Sequence, residues 1–112
     1  MTSDVDARIE TELKRGLLQL AILSMARRPT YGYRLAKALA ERGLGVEEGT
    51  LYPILRRLEK HGLLESLWKM GDTRPRKYYV ITEAGRGALG RLLETWTRIR
   101  GALDAIMEDD ES

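Results

Sequence analysis

The sequence contains no cysteine and a single histidine, His61, among its 112 residues. Disulfide bonds, thiolate metal sites and cysteine nucleophiles are therefore excluded, and one imidazole without cysteine cannot build the usual zinc site. Glu47 and Glu48 are adjacent, so a helix would point their carboxylates in different directions, and no nucleophile with its base is recognisable. We therefore expect a protein that is not an enzyme and that holds no metal or cofactor.

Long apolar runs are also missing. None reaches the roughly 20 residues that a membrane-spanning helix needs. The opening stretch, residues 1–12, is acidic and lacks the apolar centre of a signal peptide. A cytoplasmic protein is expected, because a reducing compartment suits a chain without cysteine. With 43% hydrophobic and 32% charged residues, the composition is that of a folded chain whose length suits one domain.

The net charge of +2 conceals an uneven distribution. Residues 27–77 contain 12 Lys and Arg but only 6 Asp and Glu, whereas the acidic residues concentrate in residues 4–12 and 108–111. A basic centre between acidic ends is typical of a module that binds a polyanion. Many solvated surfaces share such a distribution, so charge alone does not identify the partner.

Three helices are predicted in the first half of the chain. The first covers about residues 7–27 and ends before Pro29, because the residue before a proline avoids the helical region. Thr30 is the predicted cap of a second helix over about residues 31–42. The third helix covers about residues 48–61 and has one apolar side, which consists of Leu51, Ile54, Leu55 and Leu58. Two short helices joined by a glycine-containing turn form a helix-turn-helix pattern.

A β-hairpin is predicted directly after these helices. Residues 63–70 tolerate a strand, residues 71–75 have turn chemistry, and residues 77–81 form the second strand. A hairpin in this position is a wing. The predicted fold class is therefore mostly α with a small β-hairpin, a winged helix-turn-helix over residues 1–82.

Thr82 is the predicted cap of a long last helix over residues 83–107, which we expect to mediate dimerisation. Its apolar positions follow alternating steps of three and four, a heptad seam made of Leu89, Leu92, Trp96, Ile99, Leu103 and Ile106. A domain of this size has little core against which the seam could pack. We therefore expect a second copy of the chain to cover the seam, and Leu13 and Leu17 of the first helix to belong to the same dimer interface. The alternative is packing on the first helix within one chain. Residues 108–112 are expected to form an acidic disordered tail.

The predicted third helix has a polar side opposite its apolar one. That side carries Gly49, Tyr52, Pro53, Arg56 and Lys60, flanked by Thr50 and Arg57. Arg56 can donate two hydrogen bonds to a guanine or contact a phosphate. For any single residue of this set, an ordinary solvated position is a serious alternative. The set as a whole, however, lies where a recognition helix presents its contacts. Pro53 requires either that the regular helix begins near Thr50 or that Gly49 relieves the clash with the carbonyl four residues back.

Further candidate DNA contacts lie outside this helix. The hairpin turn is basic, with Lys69, Arg74, Arg76 and Lys77 against a single acidic residue, and can neutralise phosphates or reach the minor groove. Tyr31 and Tyr33, near the start of the second helix, can offer hydroxyls to phosphate. The alternative for both tyrosines is packing of their rings on the wing.

Five short motifs together resemble the PadR family of transcriptional regulators, over residues 13–96. They are Tyr31-Gly32-Tyr33, Gly49-Thr50-Leu51-Tyr52-Pro53, Leu55-x-x-Leu58-Glu59-x-x-Gly62-Leu63, Arg76-Lys77-Tyr78-Tyr79 and Ile81-Thr82-x-x-Gly85. The resemblance implies a winged helix-turn-helix dimer, usually a repressor, of the compact subgroup with one helix after the wing, some of whose members sense drugs or other planar apolar compounds. It also implies that Tyr31, Tyr33, Gly49, Thr50, Tyr52, Pro53 and Arg56 lie at or near DNA.

The two tryptophans receive different predictions. Trp68 lies in a predicted strand and is expected to pack in the core or at a hinge. Trp96 lies in the middle of the seam, where it is either an interface anchor or one wall of a ligand pocket at the dimer axis.

The sequence as a whole predicts a DNA-binding repressor that binds a two-fold operator as a homodimer and is released by a planar apolar ligand. The alternatives are a winged-helix module that binds protein without sequence-specific DNA binding, and a ligand carrier with weak DNA affinity.

Overall fold

The computed structural model describes residues 3–109 and has a mostly helical fold with one small hairpin, as predicted. In chain order its elements are α1 (Asp4–Met25), α2 (Gly32–Glu41), α3 (Glu48–Lys60), β1 (Leu64–Met70), β2 (Pro75–Ile81) and α4 (Glu83–Asp109). The helix-turn-helix and the wing therefore occur in the predicted order, and each predicted helix and strand is present.

Helix α1 begins three residues earlier than the sequence predicts. Ser3 and Asp6 form a capping box, in which Ser3 Oγ accepts from the Asp6 amide at 3.1 Å and the Asp6 carboxylate accepts from the Ser3 amide at 3.5 Å. These bonds satisfy two amides that a helix start leaves unpaired, and the acidic first turn complements the helix dipole. The added turn brings Val5 into α1.

Thr30 does not cap α2, so that prediction is wrong. The N-cap residue is Tyr31, whose side chain makes no capping hydrogen bond. Thr30 instead forms a β-bridge with Tyr79 of β2, with amide-to-carbonyl distances of 2.9 Å and 2.7 Å in the two directions. The Ile81 amide likewise donates to the Ala26 carbonyl at 2.8 Å. The link between α1 and α2 is thus hydrogen-bonded to the wing.

Pro53 lies inside α3, beyond its first turn, because the helix begins at Glu48. A regular start near Thr50 is therefore excluded, and the residue four positions before the proline is Gly49. Four leucine and isoleucine side chains of α3 are buried, namely Leu51, Ile54, Leu55 and Leu58, which is the predicted apolar side. Gly62, at φ +76°, ends the helix in the left-handed conformation that glycine adopts most easily.

The hairpin is antiparallel, and its register runs from Leu64 opposite Ile81 to Met70 opposite Pro75. Strand β2 begins two residues earlier than predicted, so the turn contains only residues 71–74. It closes through the Gly71 amide, which donates to the Arg74 carbonyl at 2.9 Å. Only these two paired strands occur in residues 3–109.

Helix α4 is joined tightly to the end of α3. Thr82 caps it as predicted, because its Oγ1 accepts from the Gly85 amide at 2.9 Å and donates to the Gly62 carbonyl at 2.6 Å. A Cβ on Gly85 would collide with the Leu63 carbonyl oxygen, so only glycine allows this approach. Leu89 is 7% exposed and lies in the core of its own chain, which corrects its assignment to the dimer seam.

Both long helices extend away from the core, and the described chain measures 60 × 36 × 22 Å. Glu108 and Asp109 are helical, so the prediction of a disordered tail is wrong for these two residues; its remainder, residues 110–112, lies outside the described residues. Within residues 3–109, every helix is too short or too polar to cross a membrane.

Candidate nucleic-acid interface

A groove of about 880 Å³ separates α3 from the wing. Aromatic and basic side chains dominate its lining, which consists of Tyr31, Gly32, Tyr33, Glu48, Tyr52, Arg56, Trp68, Arg74, Pro75, Arg76, Lys77 and Tyr79. Seven of the predicted DNA contacts therefore meet along one surface, namely Tyr31, Tyr33, Tyr52, Arg56, Arg74, Arg76 and Lys77. Gly49, Thr50, Pro53, Arg57 and Lys60 do not line the groove and lie elsewhere on α3.

Tyr52 has one side of its ring against the start of α2. A Cβ on Gly32 would come within 2.5 Å of the Tyr52 hydroxyl oxygen and 2.8 Å of its ring. Gly32 therefore makes room for Tyr52, whose position is fixed before any partner binds. Arg56, one turn further along α3, is exposed.

Tyr31 is held in a cluster of rings and cations. Its ring meets Tyr78 of β2 edge-on, with 5.4 Å between ring centroids. The guanidinium carbons of Arg34 and Arg76 lie 4.7 Å and 4.1 Å from the Tyr31 centroid, and the Lys69 ammonium lies 5.5 Å from that of Tyr78. For Tyr31, the structure therefore agrees with the alternative that its ring packs on the wing.

Tyr33 differs from Tyr31, because it is 66% exposed and has no such ring contact within the described chain. Of the two tyrosines, Tyr33 is therefore the more exposed.

Lys77 forms an ion pair inside the protein. Its ammonium lies 3.6 Å from a carboxylate oxygen of Glu59 on α3, and the other oxygen of that carboxylate accepts a hydrogen bond from the Ser66 hydroxyl. One carboxylate of α3 therefore contacts both strands of the wing. Arg74 is exposed at the turn, with no ion pair recorded in residues 3–109. Lys77 and Arg74, which the sequence analysis treated alike as basic residues of the wing, are thus in different environments.

Sequence reasoning missed Trp68 as a groove residue. The expectation of core or hinge packing is wrong, because Trp68 is 67% exposed and lines the groove. The register of the hairpin, which sets Trp68 opposite Lys77, is the signal that could have found it. Gly32 and Glu48 were likewise missed. Across the described residues, histidine and carboxylate side chains nowhere gather in threes that could hold a metal ion.

A second surface lies between α1 and α4. It contains an apolar groove of about 430 Å³ whose lining includes Leu13, Leu17, Leu20, Leu92, Trp96, Ile99 and Leu103. Apolar side chains continue along both helices beyond this groove, exposed at Val5, Ile9, Ile106 and Met107. Val5 and Ile9 were not predicted to belong to this surface. Val5 lies in the added first turn of α1, whereas Ile9 lies inside the predicted first helix but precedes the apolar positions that were assigned to its stripe.

A helix-turn-helix followed by a wing, with a basic groove between them, defines a winged-helix DNA-binding protein. The chain belongs to the PadR-like family of transcriptional regulators, whose family model matches residues 20–91. It is therefore a DNA-binding regulator, and the prediction that it is not an enzyme is confirmed, since the family consists of regulators.

Individual relatives agree with this assignment. A PadR family transcriptional regulator from Eggerthella lenta is 41% identical, with 94% of each chain covered and a TM-score of 0.86. A PadR-like transcriptional regulator from Bacillus cereus is 30% identical, over 86% of this chain and 96% of its own, with a TM-score of 0.77. A transcriptional regulator of Mycobacterium tuberculosis is 43% identical over 79 residues, which are 70% of this chain and 74% of the relative.

Proposed function

We propose that the protein is a homodimeric repressor that binds a two-fold operator and is released by a planar apolar ligand at the dimer interface. The observation that carries the DNA-binding part is the basic, aromatic groove between α3 and the wing. With α3 in the major groove, its exposed Arg56 faces the base edges, and Gly49, Thr50, Tyr52, Pro53, Arg57 and Lys60 lie on the same helix. Tyr31, Tyr33, Arg74 and Arg76 then flank the DNA backbone. A protein acting on the chromosome works in the cytoplasm.

The exposed apolar residues of α1 and α4 support the homodimer. On α4, Leu92, Trp96, Ile99, Leu103 and Ile106 remain partly or largely exposed, and on α1 so do Leu13 and Leu17. An apolar stripe of this length is unfavourable in water and is typical of a helix that packs on a partner. The seam available to a second copy begins at Leu92, since Leu89 is buried in the protomer.

Trp96 supports the ligand-binding part. It is half-exposed and lines the apolar groove between α1 and α4, together with Leu17 and Ile99. In a two-fold dimer, two such grooves approach one another at the axis. A flat apolar ligand stacks well on an indole face and needs few polar contacts. By separating the paired helices it would change the spacing of the two α3 helices, and so weaken DNA binding.

Selection from a random duplex library tests the DNA-binding part. The recovered sequence is expected to contain two inverted half-sites separated by about 34 Å, one helical turn. Footprinting should give protection symmetric about the centre. A recovered motif without two-fold symmetry contradicts the operator geometry, and failure to recover any motif contradicts sequence-specific binding.

The recovered duplex also tests repression. Placed between a promoter and a reporter gene, it should lower reporter expression when the protein is present. Increased expression would identify an activator instead.

A further inference from the structure

Trp68 is an exposed tryptophan in a protein with few aromatic residues. It is 67% exposed, and the neighbouring Met70 on the same strand is 76% exposed. Large apolar side chains that remain in water usually mark a contact surface when they are grouped. Pro75, paired with Met70 across the hairpin, is also exposed. The end of the wing therefore has a small apolar surface formed by Trp68, Met70 and Pro75.

The register gives the direction of this apolar surface. Residues paired across a hairpin share a face, and side chains alternate along each strand. Ser66, Trp68 and Met70 therefore lie on one face with their partners Tyr79, Lys77 and Pro75. That face is the one turned toward α3, because Tyr79 is buried in the core and Trp68 lines the groove together with Tyr52 and Arg56.

This groove is where a DNA strand passes if α3 occupies the major groove. The wing then lies beside the neighbouring minor groove, and one sugar–phosphate strand separates the two grooves. Its phosphates are suited to the cations of the groove, Arg74 and Arg76. Its deoxyribose rings are largely apolar and are suited to an indole face.

We propose that Trp68 packs against the deoxyribose of the duplex strand that lies between α3 and the wing. The proposal rests on the proposed placement of α3 on DNA. Packing of this kind releases no counterion, so it adds affinity that does not depend on salt concentration. A phosphate contact by Arg74 behaves differently, because each such contact adds about 0.9 to the slope of log affinity against log salt. The two side chains line the same groove and can be distinguished by this slope.

The first experiment compares Trp68→Ala with Arg74→Ala on the duplex recovered by selection. Both side chains are exposed, so neither substitution removes core packing. Trp68→Ala should weaken binding about tenfold with an unchanged salt slope, and Trp68→Phe should recover most of the loss. Arg74→Ala should lower the slope by about 0.9. Unchanged affinity in Trp68→Ala, or a lower slope, would overturn the proposal.

A second measurement uses Trp68 as its own reporter. In a Trp96→Phe background, checked by sedimentation against the parent, Trp68 is the remaining tryptophan. Acrylamide should quench its fluorescence strongly in the free protein and several-fold less when the duplex is bound. Equal quenching in a sample whose labelled duplex is fully bound overturns the Trp68 contact and leaves the proposed function standing. If the parent binds no duplex, the proposed function and the Trp68 contact fail together.

Discussion

At the scale of single residues, the wing cations that look alike in sequence differ in what they can offer DNA. Lys77 already neutralises Glu59, whereas Arg74 projects from the turn with no recorded ion pair in the described chain. An ion pair whose side chains are 34% and 33% exposed contributes little to folding, below about 1 kcal/mol, but it must be broken or shared before Lys77 can bind a phosphate. The basic composition of the wing therefore overstates its number of free phosphate ligands.

The first prediction follows from this difference. Lys77→Ala should lower the salt slope of duplex binding by clearly less than the roughly 0.9 expected for Arg74→Ala. Titrations of a labelled duplex at several salt concentrations measure both slopes. Equal slope changes in the two variants would show that Lys77 leaves Glu59 and binds phosphate when DNA arrives.

Gly49 gives a second prediction at this scale. It lies in the first turn of α3, and a Cβ there would meet nothing within 4 Å. Gly49→Ala should therefore stabilise the free protein, by up to about 0.5–1 kcal/mol, because alanine loses less backbone entropy in a helix. If α3 approaches the duplex closely at this residue, the same variant binds DNA more weakly. Thermal unfolding without DNA and duplex titration measure the two effects, and undiminished DNA affinity argues against a close approach.

At the scale of helices and strands, local patterns predicted the elements well but missed their long-range contacts. Apolar periodicity located α3 and α4, because it depends on residues three and four positions apart. Thr30 was assigned a local role as a cap, whereas its partner, Tyr79, is distant in sequence and is recognisable only in the folded chain. Leu89 fits the heptad seam of α4, but the beginning of that helix packs into the core, which periodicity cannot distinguish from a partner's surface.

The junction between α3 and α4 carries the third prediction. Gly85→Ala would place a methyl group against the Leu63 backbone carbonyl, which cannot move without shifting the end of α3. This variant should lose more stability than Thr82→Ala, which removes the helix cap and should lower the free energy of unfolding by about 1–2 kcal/mol. Gly101→Ala is the matched control, because a Cβ there meets nothing within 4 Å. Urea unfolding ranks the three variants, and equal stability of Gly85→Ala and Gly101→Ala contradicts the close approach.

At the scale of the whole molecule, the protein has two candidate functional surfaces at different places on one small body. The basic groove lies between α3 and the wing, and the apolar surface lies along α1 and α4. Sequence periodicity and charge predicted the existence of both surfaces. They did not predict the extent of either. Trp68 was assigned to the core or a hinge, Val5 lay outside the predicted first helix, and Ile9 was not assigned to the apolar surface.

The fourth prediction separates assembly from folding. Leu103 is 54% exposed, whereas Leu89 is 7% exposed in the core. Leu103→Asp should therefore give a folded monomer, because the carboxylate is costly only when a partner buries it. Leu89→Asp should unfold the protomer itself. Circular dichroism and sedimentation measure the two outcomes, and a Leu103→Asp protein that sediments as a dimer would contradict the proposed interface.

The hydrogen bonds that join the wing to the segment between α1 and α2 also make the separation of the wing measurable by hydrogen exchange. The amides of Thr30, Tyr79 and Ile81 are all paired with residues far away in sequence. Fraying of one helix end exposes none of them, so each can exchange its proton for deuterium only when the wing separates from the body. Once each exchange rate is corrected for the intrinsic rate of its residue, these three amides should therefore give one common opening free energy. That free energy measures how much of the protein has its wing separated from the body, and it needs neither DNA nor a ligand to be observed.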